Sequence, residues 1–515
     1  MGQYEDSPLA SVASRLGEAF RDLGFGEDGI AGALGPAAYA ALYRGEPGAV
    51  SRALSFITPE SSHWPVSVLT RLFVMGEEVL CGDVEKLLGG DLVAELVSED
   101  LLVIRGGRAT AAVEIRPRTI DGEVNYVFAD FDASMKNHVP GKDHVLGVGA
   151  ASLSLLQAVP RTPVSSVLDL GCGSGIQTLG QLPYAGTVTA TDIHRRALRL
   201  AGATLAASGR SNYEVLEGSW FEPVSGRSFE RIVANPPFVV GPAAVGHVYR
   251  DSGLGLDGAT EATVRGAAKH LAPGGQAFLL GAWAHVAGET WQQRVARWLP
   301  LTGVAAWVLQ RDVADPEMYV STWLRDESID PRSDLGKQRT RDWLDFFAEH
   351  DVTGIGFGWI GLEAIGQQPT EVVAEELAQP FTDPLGPEFA EYFKRAGWLR
   401  QRTSADILSS QLCVRPTVAV DAVSVTDTDT GLGFAPSVTR ISRLDGPLFN
   451  HEIDNHLQAI VAGLHPQGLN LEDVIELYAA AQGLDAAAIT ADCVAAIVDL
   501  IRHGIVLPAD LVEIV

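Results

Sequence analysis

Basic residues are scarce: 38 lysines and arginines stand against 65 aspartates and glutamates, a formal net charge of −27. Long-range attraction to phosphate is therefore absent for the molecule as a whole, which counts against a broad, non-specific nucleic-acid surface. A local basic patch stays compatible with this balance, which mildly favours a protein or small-molecule substrate. Cysteine is nearly missing. The four present (Cys81, Cys172, Cys413 and Cys493) are scattered without ligand spacing, which argues against a zinc site or a disulfide framework and for a reducing compartment. No uninterrupted apolar run reaches the roughly 18 residues of a membrane span. The amino terminus, MGQYEDSPLASVASRLGEAF, lacks the basic start and apolar stretch of a signal peptide, so a cytosolic location is expected.

What is there is a long chain with real cores. Its 515 residues, 46% of them hydrophobic, suggest about three domains. Residues 1–115 read as mostly helical, from apolar residues at helical spacing in SPLASVASRLGEAFRDLGF. Within them, the run from Ser61 to Ile115 has the helix, helix, helix, β-wing pattern of a winged helix. That pattern suits DNA binding or a packing and protein-recognition module, and the lack of a basic recognition helix favours the second. Residues 116–365 are expected to form an α/β domain. VSSVLDLG, GTVTATD, YEVLEG, ERIVANPP and GQAFLLG are five apolar strands separated by helices, followed by the strands VAAWVLQRDV and VTGIGFGWIGL. Seven strands suit a doubly wound sheet ending in an antiparallel pair. An aromatic-rich, helical insertion at 315–350 separates the last two, and loops of such length are usually functional. Residues 366–515 are expected to form an α+β third domain, again compatible with a winged-helix-like fold.

Three motifs carry chemistry. Asp169, Gly171, Gly173 and Gly175 sit at the end of the first strand and before a helix, where glycines let the backbone turn sharply and approach a ligand. The spacing D-x-G-x-G-x-G differs from the dinucleotide fingerprint G-x-G-x-x-G. Asp192 ends the second strand, 17 positions after Gly175. A lone aspartate there would serve as a helix N-cap, but at this distance from the glycine turn it suits a pair of ribose hydroxyls. Asn235-Pro236-Pro237-Phe238 follows the fourth strand. The prolines freeze the loop, so that the Asn235 side-chain oxygen and the Pro236 carbonyl can both accept hydrogen bonds from one NH2 group. Phe238 offers a flat face to a planar base or amide.

With these motifs, residues 140–312 resemble the class I methyltransferases that use S-adenosyl-L-methionine (AdoMet) and methylate amino nitrogens. The group includes release-factor glutamine methyltransferases, guanine-N2 and adenine-N6 RNA methyltransferases and adenine-N6 DNA methyltransferases. The resemblance implies a Rossmann-like seven-stranded sheet, with Gly171, Gly173 and Gly175 around the methionine part of AdoMet and Asp169 supporting its amino end. It further implies that Asp192 holds the ribose and that Asn235, Pro236, Pro237 and Phe238 clamp the acceptor amine. After the third strand the group usually carries an acid for the adenine; here Ser219 stands in its place and Trp220 or a backbone amide is left to take that part. Tyr249 and Arg250 could reach substrate, and His138, Lys142 and His144 precede the helix over the cofactor; solvated loop positions are the alternative for all five. The reading expected is N-methylation of an exocyclic base amine in RNA, because phenylalanine at the fourth motif position is frequent in the RNA enzymes. A protein amide, a small molecule and a catalytically idle AdoMet-binding regulator are the alternatives. No metal is expected.

Overall fold

A computed structural model describes residues 4, 7–132, 134–136, 141, 143–243, 253–326, 329–377 and 379–512. The chain divides into two compact units, Met1–Leu156 with Arg161–Glu376, and Gln157–Pro160 with Leu377–Val515.

The first unit is organised by one sheet of eight strands: β1 (Val164–Leu170), β2 (Ala185–Asp192), β3 (Tyr213–Glu217), β4 (Phe229–Ala234), β5 (Leu271–Val286), β6 (Thr302–Ala314), β7 (Val352–Pro369) and β8 (Glu371–Glu376). Their order is β8-β6-β7-β5-β4-β1-β2-β3. The run from β5 through β4, β1 and β2 to β3 is parallel, and β7 lies antiparallel between β5 and β6. The seven strands expected from the sequence are joined by an eighth, β8, which pairs in parallel with β6 and carries the sheet past residue 365. Three glutamates at an edge position, in EVVAEE, hid it from a search for apolar runs. Burial explains the other seven: the centre of each of β1, β4 and β5 is covered on both faces, which demands continuous apolar sequence.

The alternating glycines of β7 have a packing cause. A side chain on Gly356 would sit 2.2 Å from Gln310 Oε1 and 2.4 Å from Trp283 Nε1. Those two buried groups, from β6 and β5, meet there in a 2.8 Å hydrogen bond across the bare backbone. Glycine gives up strand propensity to make that room.

Three helices flank the head of the sheet: α1 (Ala150–Ala158), α2 (Ile176–Gln181) and α3 (Arg195–Ala207). α4 (Gly258–His270) packs behind β4 and β5, and the insertion forms α5 (Pro316–Asp326) and α6 (Asp334–Glu349). The order of the sheet reverses at β1, whose neighbours are β2 on one side and β4 on the other. A crevice at the carboxyl ends of these strands follows from that reversal.

The amino-terminal segment shares the core of this unit. Leu9, Val12, Ala13, Leu16 and Phe20 of helix Pro8–Asp22 cluster with Ala197, Leu200, Ala203 and Ala207 of α3. Gly17 makes the approach possible, since a Cβ there would stand 2.6 Å from the Ala207 carbonyl oxygen. Further on, a helix at Trp64–Leu69, a strand at Val79–Leu80, helices Cys81–Leu88 and Gly90–Ser98, and strands Leu102–Arg105 and Arg108–Ala111 follow the element order of a winged helix. A hairpin, Glu114–Ile120 with Glu123–Ala129, leads from there to the sheet domain. Its two-residue turn is Asp121-Gly122, both at positive φ, as a tight hairpin requires.

The second unit holds helices Leu385–Arg400, Asn455–Ala462, Leu471–Gln482 and Ala486–Arg502 around a core that includes Leu412, Ile460, Ile475, Ile497 and Val506. Strands Val418–Thr426, Phe434–Arg443 and Asn450–Ile453 form an antiparallel sheet. The buried Glu388 carboxylate binds two equally buried guanidiniums, Arg395 at 2.5 Å and Arg443 at 2.6 Å.

Candidate functional site

At the sheet's order reversal lies a cavity of about 780 Å³. β1 supplies its floor. Gly171 and Gly173 both take positive φ, at 70° and 52°, and a Cβ on either would meet nothing within 4 Å. They are bare backbone facing open space, and both line the cavity. Gly175 has a different task. It caps α2 in the left-handed region, and its missing Cβ would touch Ala201 Cβ of α3 at 3.4 Å.

Asp169 lies beneath the cavity and does not line it. Its Oδ2 accepts from the Thr178 amide at 2.9 Å and from the Thr178 hydroxyl at 2.6 Å, tying strand to helix. Its Oδ1 is buried without a hydrogen-bond partner. Burial pushes this carboxyl up to about 7, against the pull of the Thr178 bonds.

Asp192 ends β2 on the cavity wall. Its Oδ2 accepts from the Gly173 amide at 3.1 Å and its Oδ1 from the His194 amide at 2.8 Å, so the carboxylate is held by both turns it joins. Burial raises its pKa as well. The helix that follows has His194 at its N-cap position, so Asp192 is not its capping residue. After β3, Gly218, Ser219 and Trp220 line the next stretch of wall, Trp220 at a positive φ of 48°. Phe221 points elsewhere and stacks on His270 of α4.

At the tip of β4, Asn235, Pro236 and Pro237 face the same cavity. The Asn235 side-chain amide reaches Ser152 Oγ of α1 at 3.4 Å, which sets its rotation. Phe238 is not among the lining residues; it packs on the cluster made with Tyr319, Phe347 and Trp343 of the insertion. The backbone just beyond is pinned by that insertion. The Val240 amide donates to Tyr319 Oη at 2.7 Å, and Gly241 lacks the Cβ that would press on Trp343 at 3.0 Å.

His144 lines the cavity, with Nδ1 3.8 Å from Asp130 Oδ2. His138, Lys142, Tyr249 and Arg250 lie outside the described residues. The cavity also has a charged wall that sequence reasoning missed: Glu114, Arg116, Asp130 and Asp132, from the hairpin and the loop after it. Its signal was present in VEIRPRTI, where Glu114, Arg116 and Arg118 alternate along one strand and so share a face. Among the described residues no group of three or more histidine, cysteine or acidic side chains could hold a metal ion, and no helix is long and apolar enough to cross a membrane.

The donor set fits AdoMet. The open directions at Gly171 and Gly173 leave room for a chain against bare backbone, and the fixed Asp192 carboxylate suits two vicinal hydroxyls. Ser219 and Trp220 line the next stretch of wall, where they could flank the base.

Known proteins resemble the chain in parts. The family model described as methyltransferase small domain matches residues 146–289. Two models described as domains of unknown function, DUF7059 and DUF7782, match residues 22–112 and 390–508. The ribosomal RNA small subunit methyltransferase C of Serratia proteamaculans (strain 568) is 30% identical over 165 residues, 30% of this chain and 44% of that protein. Its counterpart from Sodalis glossinidius (strain morsitans) is 35% identical over 140 residues, 27% of this chain and 36% of that protein. A solved 16S rRNA N2 methyltransferase of T. thermophilus, in complex with AdoMet and guanosine, is 22% identical, covering 43% of this chain and 59% of its own at a TM-score of 0.28. The chain thus spans less than half the length of the curated relatives it matches. Matched by the family model, with a glycine turn and Asp192 at the head of a doubly wound sheet, residues 146–289 are a class I, AdoMet-dependent methyltransferase domain.

Proposed function

We propose that the chain is an RNA N-methyltransferase whose acceptor is the exocyclic amine of a base in small-subunit ribosomal RNA. The observation that carries this reading is the placement of Asn235, Pro236 and Pro237 on the wall of the cavity that the glycine turn and Asp192 also line. The names of the curated relatives support the RNA class.

AdoMet, when bound, supplies a methyl group on a sulfonium. The chain's own part is to hold an amine against it. An aryl or amide NH2 is a poor nucleophile because its lone pair is delocalised. Accepting both N–H bonds on the Asn235 oxygen and the Pro236 carbonyl turns that lone pair out of conjugation. The same two oxygens stabilise positive charge as it develops on nitrogen, which needs no reorganisation because prolines and Ser152 have fixed them. Positioning accounts for most of the remaining rate. The spent proton leaves the nitrogen for water, and no acid–base pair is required.

The test is transfer of radiolabelled methyl from AdoMet into extract of cells lacking the protein, followed by RNase or protease. Label removed by RNase, and reduced by roughly a hundredfold or more with Asn235→Ala, is the expected result. Label removed only by protease would overturn the RNA reading and install a protein amide as acceptor, the class that the net charge of −27 favours. Absence of macromolecular label, with AdoMet bound, would point to a small molecule or to an idle regulator.

A further inference from the structure

The resemblance gives Asp169 to the amino end of the cofactor, yet Asp169 is walled off from the cavity and spends its Oδ2 on Thr178. The amino-acid end of AdoMet carries an ammonium and a carboxylate, and both need partners when drawn into a buried site. The charged groups on the wall are mostly committed. Asp192 is engaged by two backbone amides. Asp130 binds Arg196 and the Val145 amide, Asp132 takes the Ser134 amide, and Arg118 binds Glu27 and Tyr43.

Asp143 also lines the cavity but is solvent-exposed, which leaves Glu114 and Arg116 as the buried and half-buried acid–base pair on the wall. They stand two apart on strand Glu114–Ile120, on one face, and both line the cavity. Glu114 Oε1 takes both bonds from Arg116, from Nε at 3.0 Å and from Nη2 at 2.5 Å. Glu114 Oε2 and Arg116 Nη1 have no hydrogen-bond partner among the described residues. A Cβ at Gly147 would stand 3.2 Å from Glu114 Oε2, so the loop passes close over the pair. The loop then enters α1, whose Ser152 meets Asn235.

We propose that Glu114 and Arg116 are the subsite for the amino-acid end of AdoMet, Oε2 of Glu114 accepting from its ammonium and Nη1 of Arg116 donating to its carboxylate. The inference rests on the reading that this cavity takes AdoMet. It gives the hairpin a direct place in the cofactor site, although the hairpin lies outside the matched residues 146–289. Burial pushes the Glu114 carboxyl up, and Arg116 only partly offsets this, so a second cation beside it would be welcome.

Calorimetric titration of the full chain tests the assignment with three ligands: AdoMet, decarboxylated AdoMet and 5′-methylthioadenosine, which lacks the amino-acid end. Wild type is expected to bind decarboxylated AdoMet roughly tenfold more weakly than AdoMet, a comparison that needs no variant. Arg116→Met should bind those two ligands alike. Glu114→Gln should weaken AdoMet by roughly ten- to a hundredfold. Both variants should keep methylthioadenosine within about twofold, which also certifies the fold. Wild type that binds AdoMet and its decarboxylated form equally would overturn the proposal, as would variants that lose methylthioadenosine in proportion or keep AdoMet unchanged. Wild type that binds none of the three would overturn the cofactor reading itself.

Discussion

Asp169 offers a sharp test because its charge state works against the fold. The carboxyl is buried, one oxygen is bare, and its pKa is raised from about 3.8 to about 7. An acid whose folded pKa is raised keeps its proton in the folded chain after the unfolded chain has lost it. Its contribution to stability is therefore full below about pH 4 and is lost as pH rises through about 7. The whole shift corresponds to about 4 kcal/mol, and the part falling between pH 5 and pH 8 to about 3 kcal/mol.

Asp169→Asn removes that dependence while copying the protonated shape. The amide oxygen can take the two Thr178 bonds that Oδ2 now accepts, and the NH2 replaces the bare Oδ1. Any fixed cost of the unpartnered NH2 is the same at every pH. A unit of roughly 370 residues unfolds with an entropy near 0.8 kcal/mol/K, so 3 kcal/mol corresponds to about 3–4 °C in Tm. Scanning calorimetry of both proteins, without ligand, should show the variant gaining that much on wild type between pH 5 and pH 8. A Tm difference that stays flat across this range would refute the reasoning.

Two further outcomes follow from single contacts. Tyr319→Phe keeps the aromatic cluster and leaves the Val240 amide, buried just past the acceptor clamp, without its acceptor. Methyl transfer should fall roughly tenfold from that loss of about 1–3 kcal/mol, while calorimetric AdoMet affinity stays within twofold; a parallel fall in both would deny the insertion a place on the acceptor side. Gly17→Ala should lower the Tm of the first unit by roughly 1–4 °C, since its Cβ meets the Ala207 carbonyl at 2.6 Å. The sign is the informative part, because the same change in a free helix interior stabilises by about 1 kcal/mol.

The sheet was largely legible because strands covered on both faces must be mostly apolar, as the buried stretches of β1, β5 and β7 are. Their order was not legible. Nothing local in VTGIGFGWIGL says that β7 slips between β5 and β6; that follows from where its glycines let Trp283 and Gln310 meet. β8 escaped because an edge strand tolerates charge. At the site, motif spacing led directly to Gly171, Gly173, Asp192 and Asn235, which share the cavity wall. Spacing could not separate lining from support. Gly175 and Asp169 belong to the same motif but serve packing and the strand-to-helix tie, and Phe238 turns to the insertion. Glu114 and Arg116 were hidden by distance, some 50 residues ahead of the glycine turn and brought back by the hairpin.

That return path bears on what the molecule recognises. The matched segment 146–289 contains the glycine turn, Asp192 and the Asn235-Pro236-Pro237 loop proposed as the acceptor clamp. The hairpin wall and the insertion behind Phe238 and Val240 come from outside it. Groups that are shared by enzymes with different acceptors cannot be what tells those acceptors apart. Discrimination needs contacts that one acceptor satisfies and another leaves unpaired. In this chain the proposed clamp is joined to the insertion through Phe238 and the Val240 amide, which lie behind the cavity wall. An acidic molecule has no general pull on phosphate to draw RNA in. On the RNA reading proposed above, selection of a base would rest on the shape and hydrogen bonding of the Asn235 loop, with α5 and α6 holding the backbone just beyond it.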